Sequence, residues 1–116
     1  MGKEVLERQV FHAGEAVFRV GDPPRCAYLI QSGMIEIKLA RDGTDVVVDT
    51  LEAGDLLGEM ALVDSQPRSA TAVAKVPTTC IVIAPTDFQH RLEKCDPFVR
   101  AMLKVFTRRL RKSTNR

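Results

Sequence analysis

The residues of this chain whose types and spacing could do chemistry lie between Gly58 and Thr71, in the run Gly-Glu-Met-Ala-Leu-Val-Asp-Ser-Gln-Pro-Arg-Ser-Ala-Thr. Arg68 is the strong cation of the stretch, and its planar, permanently charged guanidinium matches phosphate oxygens in a way a lysine's point charge cannot. Ser69 adds a hydroxyl donor beside it. Pro67 fixes the chain direction just before Arg68, within the turn chemistry of Asp64-Ser65-Gln66-Pro67. Gly58 permits backbone angles and a closeness of approach that a Cβ would forbid. Glu59-Met60-Ala61-Leu62 reads as one helical turn whose free N–H groups suit an anion, with Ala61 leaving that backbone exposed. A carboxylate facing a phosphate would be repelled, so Glu59 needs a donor elsewhere on the same ligand, and a ribose 2′-hydroxyl is such a donor. Anion clamp, helical-turn N-terminus and hydroxyl-reading carboxylate together imply a ribonucleotide held by its sugar-phosphate.

Gly58-Glu59-Met60-Ala61-Leu62 followed by Pro67-Arg68-Ser69-Ala70-Thr71 closely resembles the phosphate-binding cassette of cyclic nucleotide-binding domains. Such domains occur in catabolite-activator-like regulators, cyclic-nucleotide-dependent kinases and gated ion channels. The resemblance implies that Glu59 holds the ribose 2′-hydroxyl and Arg68 the cyclic phosphate. Backbone amides near Ala61 and Ser69, with the Ser69 hydroxyl, would complete the phosphate shell, so the expected ligand-binding set is Gly58, Glu59, Met60, Ala61, Arg68, Ser69, Ala70 and Thr71. The resemblance extends through Gly14-Glu15, Gly21-Asp22, the run Tyr28-Leu29-Ile30-Gln31-Ser32-Gly33 and Gly54-Asp55, and so covers nearly the whole chain. The expected ligand is cAMP, with cGMP next, and no cofactor or metal is implied. Ser69 and Thr71 do not settle which nucleotide it is.

The elements that must hold this stretch read as a mainly β scaffold with flanking helices, an antiparallel roll over about 9–84. From Gln9 to Leu57, short apolar or alternating runs are separated by turn residues. Ala16–Val20 is one run and Ala27–Gln31 another. Met34-Ile35-Glu36-Ile37-Lys38-Leu39 alternates apolar and charged, as a half-exposed strand should. Asp42-Gly43, between a strand ending near Ala40 and one over Val46–Leu51, is a hairpin signal. Ser69–Ala74 and Thr79–Ala84 read as two more strands joined at Lys75-Val76-Pro77. Residues 1 to about 8 read as a short helical lead-in. The resembled family usually carries a longer helical segment there, so the chain reads as a fragment of a longer protein or a minimal stand-alone version.

Two helices over about 86–112 follow the roll. Thr86 with Gln89 three residues on has the capping-box spacing, and predicts a helix to about Lys94. Asp96-Pro97 supplies an N-cap and a first-turn proline for the second. Along it Phe98, Val99, Met102, Leu103, Phe106 and Leu110 recur at helical spacing, an apolar stripe expected to pack on the roll with the cations off it solvated. In the resembled family the last helix swings over the pocket as a lid and touches the base, which makes Leu103 or Lys104 the lid candidates. A further reading takes the basic tail as a nucleic-acid or anionic-membrane contact, although the patch has no interleaved aromatics.

The whole chain of 116 residues, 45% hydrophobic and 28% charged, fits one domain with one core. No apolar run approaches the roughly 18 residues of a membrane span and the N-terminus lacks a signal's hydrophobic core, so the expected home is the cytoplasm. The net charge of +2 hides an asymmetry: residues 1–99 carry ten basic and fifteen acidic side chains, residues 100–116 seven basic and no acidic ones. Cys26, Cys80 and Cys95 are odd in number and far apart, which reads as free thiols. The function implied is a regulatory sensor and not a catalyst. Its alternatives are a partner-binding domain of the same fold that has lost its ligand, or a cupin-like metal enzyme. The latter needs clustered ligands that the distant His12 and His90 do not offer.

Overall fold

The computed structural model describes residues 7–114. Eight strands run through it: β1 (Glu7–Phe11), β2 (Ala16–Phe18), β3 (Ala27–Ser32), β4 (Met34–Arg41), β5 (Thr44–Glu52), β6 (Leu56–Leu57), β7 (Thr71–Ala74) and β8 (Thr78–Ile83). Three helices complete it: α1 (Glu59–Asp64) between β6 and β7, then α2 (Pro85–Glu93) and α3 (Pro97–Thr114). The strands form two four-stranded sheets, ordered β1-β8-β3-β6 and β2-β7-β4-β5, and every pairing is antiparallel.

Turn chemistry sets the longest hairpin. Asp42 and Gly43 both have positive φ, 52° and 78°, the backbone of a two-residue turn whose twist matches the strands it joins. From there Arg41 pairs with Thr44 and the ladder extends to Met34 opposite Glu52. Between the sheets the inward residues of the alternating strands meet: Phe11, Tyr28, Ile30, Ile35, Leu57, Ala72, Ala74 and Cys80 form one buried cluster. Burial of each large aliphatic or aromatic side chain contributes about 1.5–3 kcal/mol. Phe11 and Tyr28 meet edge to face with centroids 6.0 Å apart, and burial pushes the Cys80 thiol up to about 11. Ala72 and Ala74 are small where β7 crosses this layer, which lets the sheets close beneath the 58–71 stretch.

Three sequence expectations change. Residues 1–6 lie outside the described residues, but Glu7 and Arg8 are not helical: they belong to β1, opposite Val82 and Ile81 of β8, because that strand would otherwise present an open edge. The capping box at Thr86 does not form. α2 starts one residue earlier, with Ala84 at the N-cap and no side-chain cap bond, and the Gln89 amide donates instead to the Leu62 carbonyl at 2.9 Å. The third change is the largest: the apolar stripe of α3 does not pack on the roll. Phe98 is 70% exposed, Leu110 54% and Phe106 48%, while Thr107 is buried and Arg100 and Arg111 are half-buried. Carbonyl oxygens and a carboxylate are the partners of two of the arginines of α3, which turn inward. Arg100 donates to the carbonyls of Leu92 and Glu93, and Arg111 to those of Gln66 and Pro67 and to Asp64. The expected start of α3 holds: the Asp96 carboxylate accepts the Phe98 N–H at 2.7 Å, with Pro97 in the first turn.

Candidate functional site

β6 ends at Leu57, and the chain leaves it through Gly58 at φ +80°, a left-handed conformation that suits glycine. A Cβ there would also lie 2.5 Å from Arg68 Nη1. The missing side chain is therefore the space into which Arg68 folds. Main-chain bonds anchor Arg68 to an earlier turn, its N–H donating to the Asp22 carbonyl at 2.9 Å and its carbonyl accepting from Gly21 N–H at 2.8 Å.

From that anchor the side chain runs inward and is only 4% exposed. Nη1 donates to the Gly58 carbonyl at 2.9 Å and Nη2 to the Cys26 carbonyl, while the guanidinium carbon sits 4.3 Å from the centroid of Phe18. Nε is buried and, among the described residues, has no partner. These bonds are to neutral carbonyls, so among the described residues the positive charge meets no carboxylate at hydrogen-bond distance. Burial pulls the guanidinium below its ordinary pKa, opposed by Cys26, Tyr28 and Asp22. A buried cation with an orphaned donor is a costly arrangement unless an anion joins it.

Glu59 opens α1 on the other side of Gly58 and is half-buried. Burial raises its carboxyl above the ordinary range, with a backbone hydrogen bond and Arg68 pulling the other way. Between these two side chains lies a cleft of about 360 Å³, within the range of small-molecule sites. Gly58, Glu59, Met60, Arg68, Ser69 and Ala70 all line it. Ala61 lies within α1. Thr71 begins β7 and is not among the lining residues; its hydroxyl accepts the Val20 N–H at 3.1 Å and so ties β7 to the turn after β2.

Leu103 and Lys104 do not line the cleft either. α3 reaches it farther along, through Arg111 and Ser113, because the Arg111 guanidinium forks onto Asp64 and brings the end of the helix to the cleft. Sequence reasoning missed these two residues: nothing in the spacing of the basic residues says which one meets Asp64. It also missed the apolar wall of Phe18, Ile37, Leu39 and Leu51 and the charged pair of positions Arg41 and Asp49. The alternation of β4, which sets Ile35, Ile37 and Leu39 on one face, was the available signal for part of that wall. Among the described residues no group of three or more His, Cys, Asp and Glu gathers as a metal site would need.

A family model described as cyclic nucleotide-binding domain matches residues 8–95. The chain belongs to that family. The domain is 32% identical over 97 residues to a cAMP-dependent protein kinase regulatory subunit of Pyricularia oryzae, a match covering 84% of this chain and 24% of that one. It is 28% identical over 109 residues to the cyclic AMP receptor protein of Thermus thermophilus, covering 93% and 50%. Among solved structures, the cAMP-bound form of the EAL enzyme Bd1971 superposes with a TM-score of 0.89 at 30% identity, covering 92% of this chain and 29% of that one. The domain thus spans between a quarter and half the length of these proteins, and its roll, two sheets closed by C-terminal helices, is the family's fold.

Proposed function

We propose that the chain is one cyclic nucleotide-binding unit, with the roll over about 9–84 and the C-terminal helices over about 86–112, that senses cAMP or cGMP without catalysing a reaction. The observation that carries this is Arg68: a guanidinium 4% exposed that, among the described residues, bonds only to carbonyls and leaves Nε without a partner, beside a cleft of nucleotide size. An entering cyclic phosphate supplies the missing negative charge, and the fork then bonds it bidentately. Membership of the family and likeness to a solved structure whose cAMP is bound support the same ligand.

In this reading Gly58 keeps the approach to Arg68 open, Glu59 takes the ribose 2′-hydroxyl, and the main chain at Met60, Ala61 and Ala70 with the Ser69 hydroxyl completes the shell. Thr71 supports the site from behind through Val20. Arg111 and Ser113 take the lid position in place of Leu103 and Lys104. Occupancy reaches α3 because Arg111 lines the cleft and grips Asp64 of α1. Ligand moves that helix only by the difference in its affinity for the two positions. The effector that receives the signal is another domain or protein, and the cytoplasm is the expected place of action; among the described residues no helix is long and apolar enough to cross a membrane.

Calorimetric titration with cAMP and cGMP side by side tests the reading. One-to-one binding of either supports it, and no heat with either at millimolar concentration sinks it. Glu59→Ala is expected to reduce the preference for ribose over 2′-deoxyribose cyclic nucleotides; equal discrimination before and after the change removes Glu59 from that role.

A further inference from the structure

A second concavity, of about 770 Å³, adjoins the nucleotide cleft at Arg111 and includes that residue's ion-pair partner Asp64. One wall is the end of α1 and the turn after it, with Val63, Asp64, Ser65 and Gln66, and the other is α3, with Lys104, Arg108, Arg111 and Lys112. The charge in this groove is one-sided. Its one acid is Asp64, and both Asp64 oxygens already accept from Arg111. From Arg100 to the end of the chain there are seven basic residues and no acidic one. Lys104, Arg108 and Lys112 are therefore left as a row of cations four residues apart, rising about 6 Å per step and about 12 Å in all.

We propose that this groove docks an extended acidic peptide segment. In a strand, alternate side chains share a face and repeat about every 6.6 Å, so carboxylates at every second residue match the cation row step for step. The Ser65 hydroxyl and Gln66 amide on the opposite wall offer further donors. A single-stranded nucleic acid has a similar phosphate repeat, but no aromatic side chain lines the groove for its bases to stack on. A bilayer is a poor match because the surface is concave, and the exposed Phe98, Phe106 and Leu110 stripe leaves α3 on another side from the cation row. The groove also shares a wall with the nucleotide cleft, since Arg111 lines both. Peptide and nucleotide are thereby linked reciprocally; this linkage, and not the docking itself, rests on the proposed nucleotide site.

The test uses a fluorescein-labelled nine-residue peptide alternating Glu and Ser, and its Gln-for-Glu twin, titrated with the whole chain and read by fluorescence anisotropy. The Glu peptide is expected to bind saturably at one per chain and at least tenfold tighter than the Gln peptide, and to weaken at least tenfold between 50 and 500 mM salt, as screening of exposed charges requires. Arg108→Glu with Lys112→Glu should abolish it, and Arg108→Gln with Lys112→Gln should weaken it at least fivefold, with cAMP calorimetry unchanged in both because neither residue lines the nucleotide cleft. Equal affinity for the two peptides overturns the proposal, as do non-saturable binding and indifference to the substitutions. So does a groove-dependent preference for an oligothymidylate or for phosphatidylserine vesicles over the peptide. Peptide titrations without nucleotide report on the groove alone, so failure there is separable from failure of cAMP to bind.

Discussion

Arg68 concentrates the physics of this domain in one side chain. Its guanidinium is held by two carbonyls and the Phe18 ring, which orient it without neutralising it. Arg68→Ala is expected to weaken cyclic nucleotide binding by about 1.5–3 kcal/mol, the worth of a hydrogen bond to a charged group. Arg68→Lys should recover only part of that, because an ammonium lacks the fork; titration calorimetry reads both, and unchanged affinity in both variants takes Arg68 out of the site. Glu59 gives a pH signature. Burial raises its pKa in the folded state above the unfolded value, so the folded form holds a proton more tightly. The sign follows: wild-type stability relative to Glu59→Gln is highest at acid pH and declines as pH rises through the folded-state pKa. Urea midpoints of the two proteins between pH 4 and 8 check this, and a constant difference refutes it. These two residues, with Gly58 just before Glu59 and the turn at Pro67 just before Arg68, were legible in the sequence because each chemical requirement is met within a few positions. The Phe18 contact and the Cys26 carbonyl were not, since they come from segments 40 or more residues away.

At the scale of elements, α3 behaves unlike an ordinary amphipathic helix. Its Arg100 and Arg111 face carbonyls and Asp64, and its apolar stripe faces outward. Phe106→Ala is therefore expected to cost less than about 1 kcal/mol of stability, as surface substitutions do. Leu62→Ala, at a side chain 3% exposed in α1, should cost about 2–5 kcal/mol. Chemical denaturation separates the two, and a large loss at Phe106 would mean that the stripe is packed after all. The periodicity of the helix was visible in the sequence; its rotation about its own axis was not. A moment along the helix shows that one side is apolar, but which side docks depends on what surface receives it, and here that surface is polar. The Asp96-Pro97 start was readable because a cap is local. The Thr86 capping box failed because Gln89 found a better acceptor in Leu62, a residue 27 positions earlier.

Across the whole molecule, the Arg111–Asp64 contact joins the last helix to the stretch that lines the cleft, 47 residues apart in sequence. Both side chains are mostly buried, 13% and 21% exposed, so the pair is screened less than a surface bridge would be. Arg111→Ala should speed amide hydrogen exchange along α3 and blunt the change in that exchange when cAMP is added. Identical exchange profiles in wild type and variant, with and without cAMP, would show that α3 receives nothing through this contact. What the sequence determined by itself was the set of local conditions: the order of most strands and turns, the antiparallel character of the roll, and the placing of Glu59 and Arg68 within one short stretch. Alternation, turn residues and short motifs carry that information within a few residues. Only the tertiary structure decided which face of α3 turns inward, that Glu7 and Arg8 complete a sheet edge, and that Arg111 and Ser113 reach the cleft. Those outcomes depend on contacts between distant segments, where the free energy is set by the partner surface and not by the segment's own pattern.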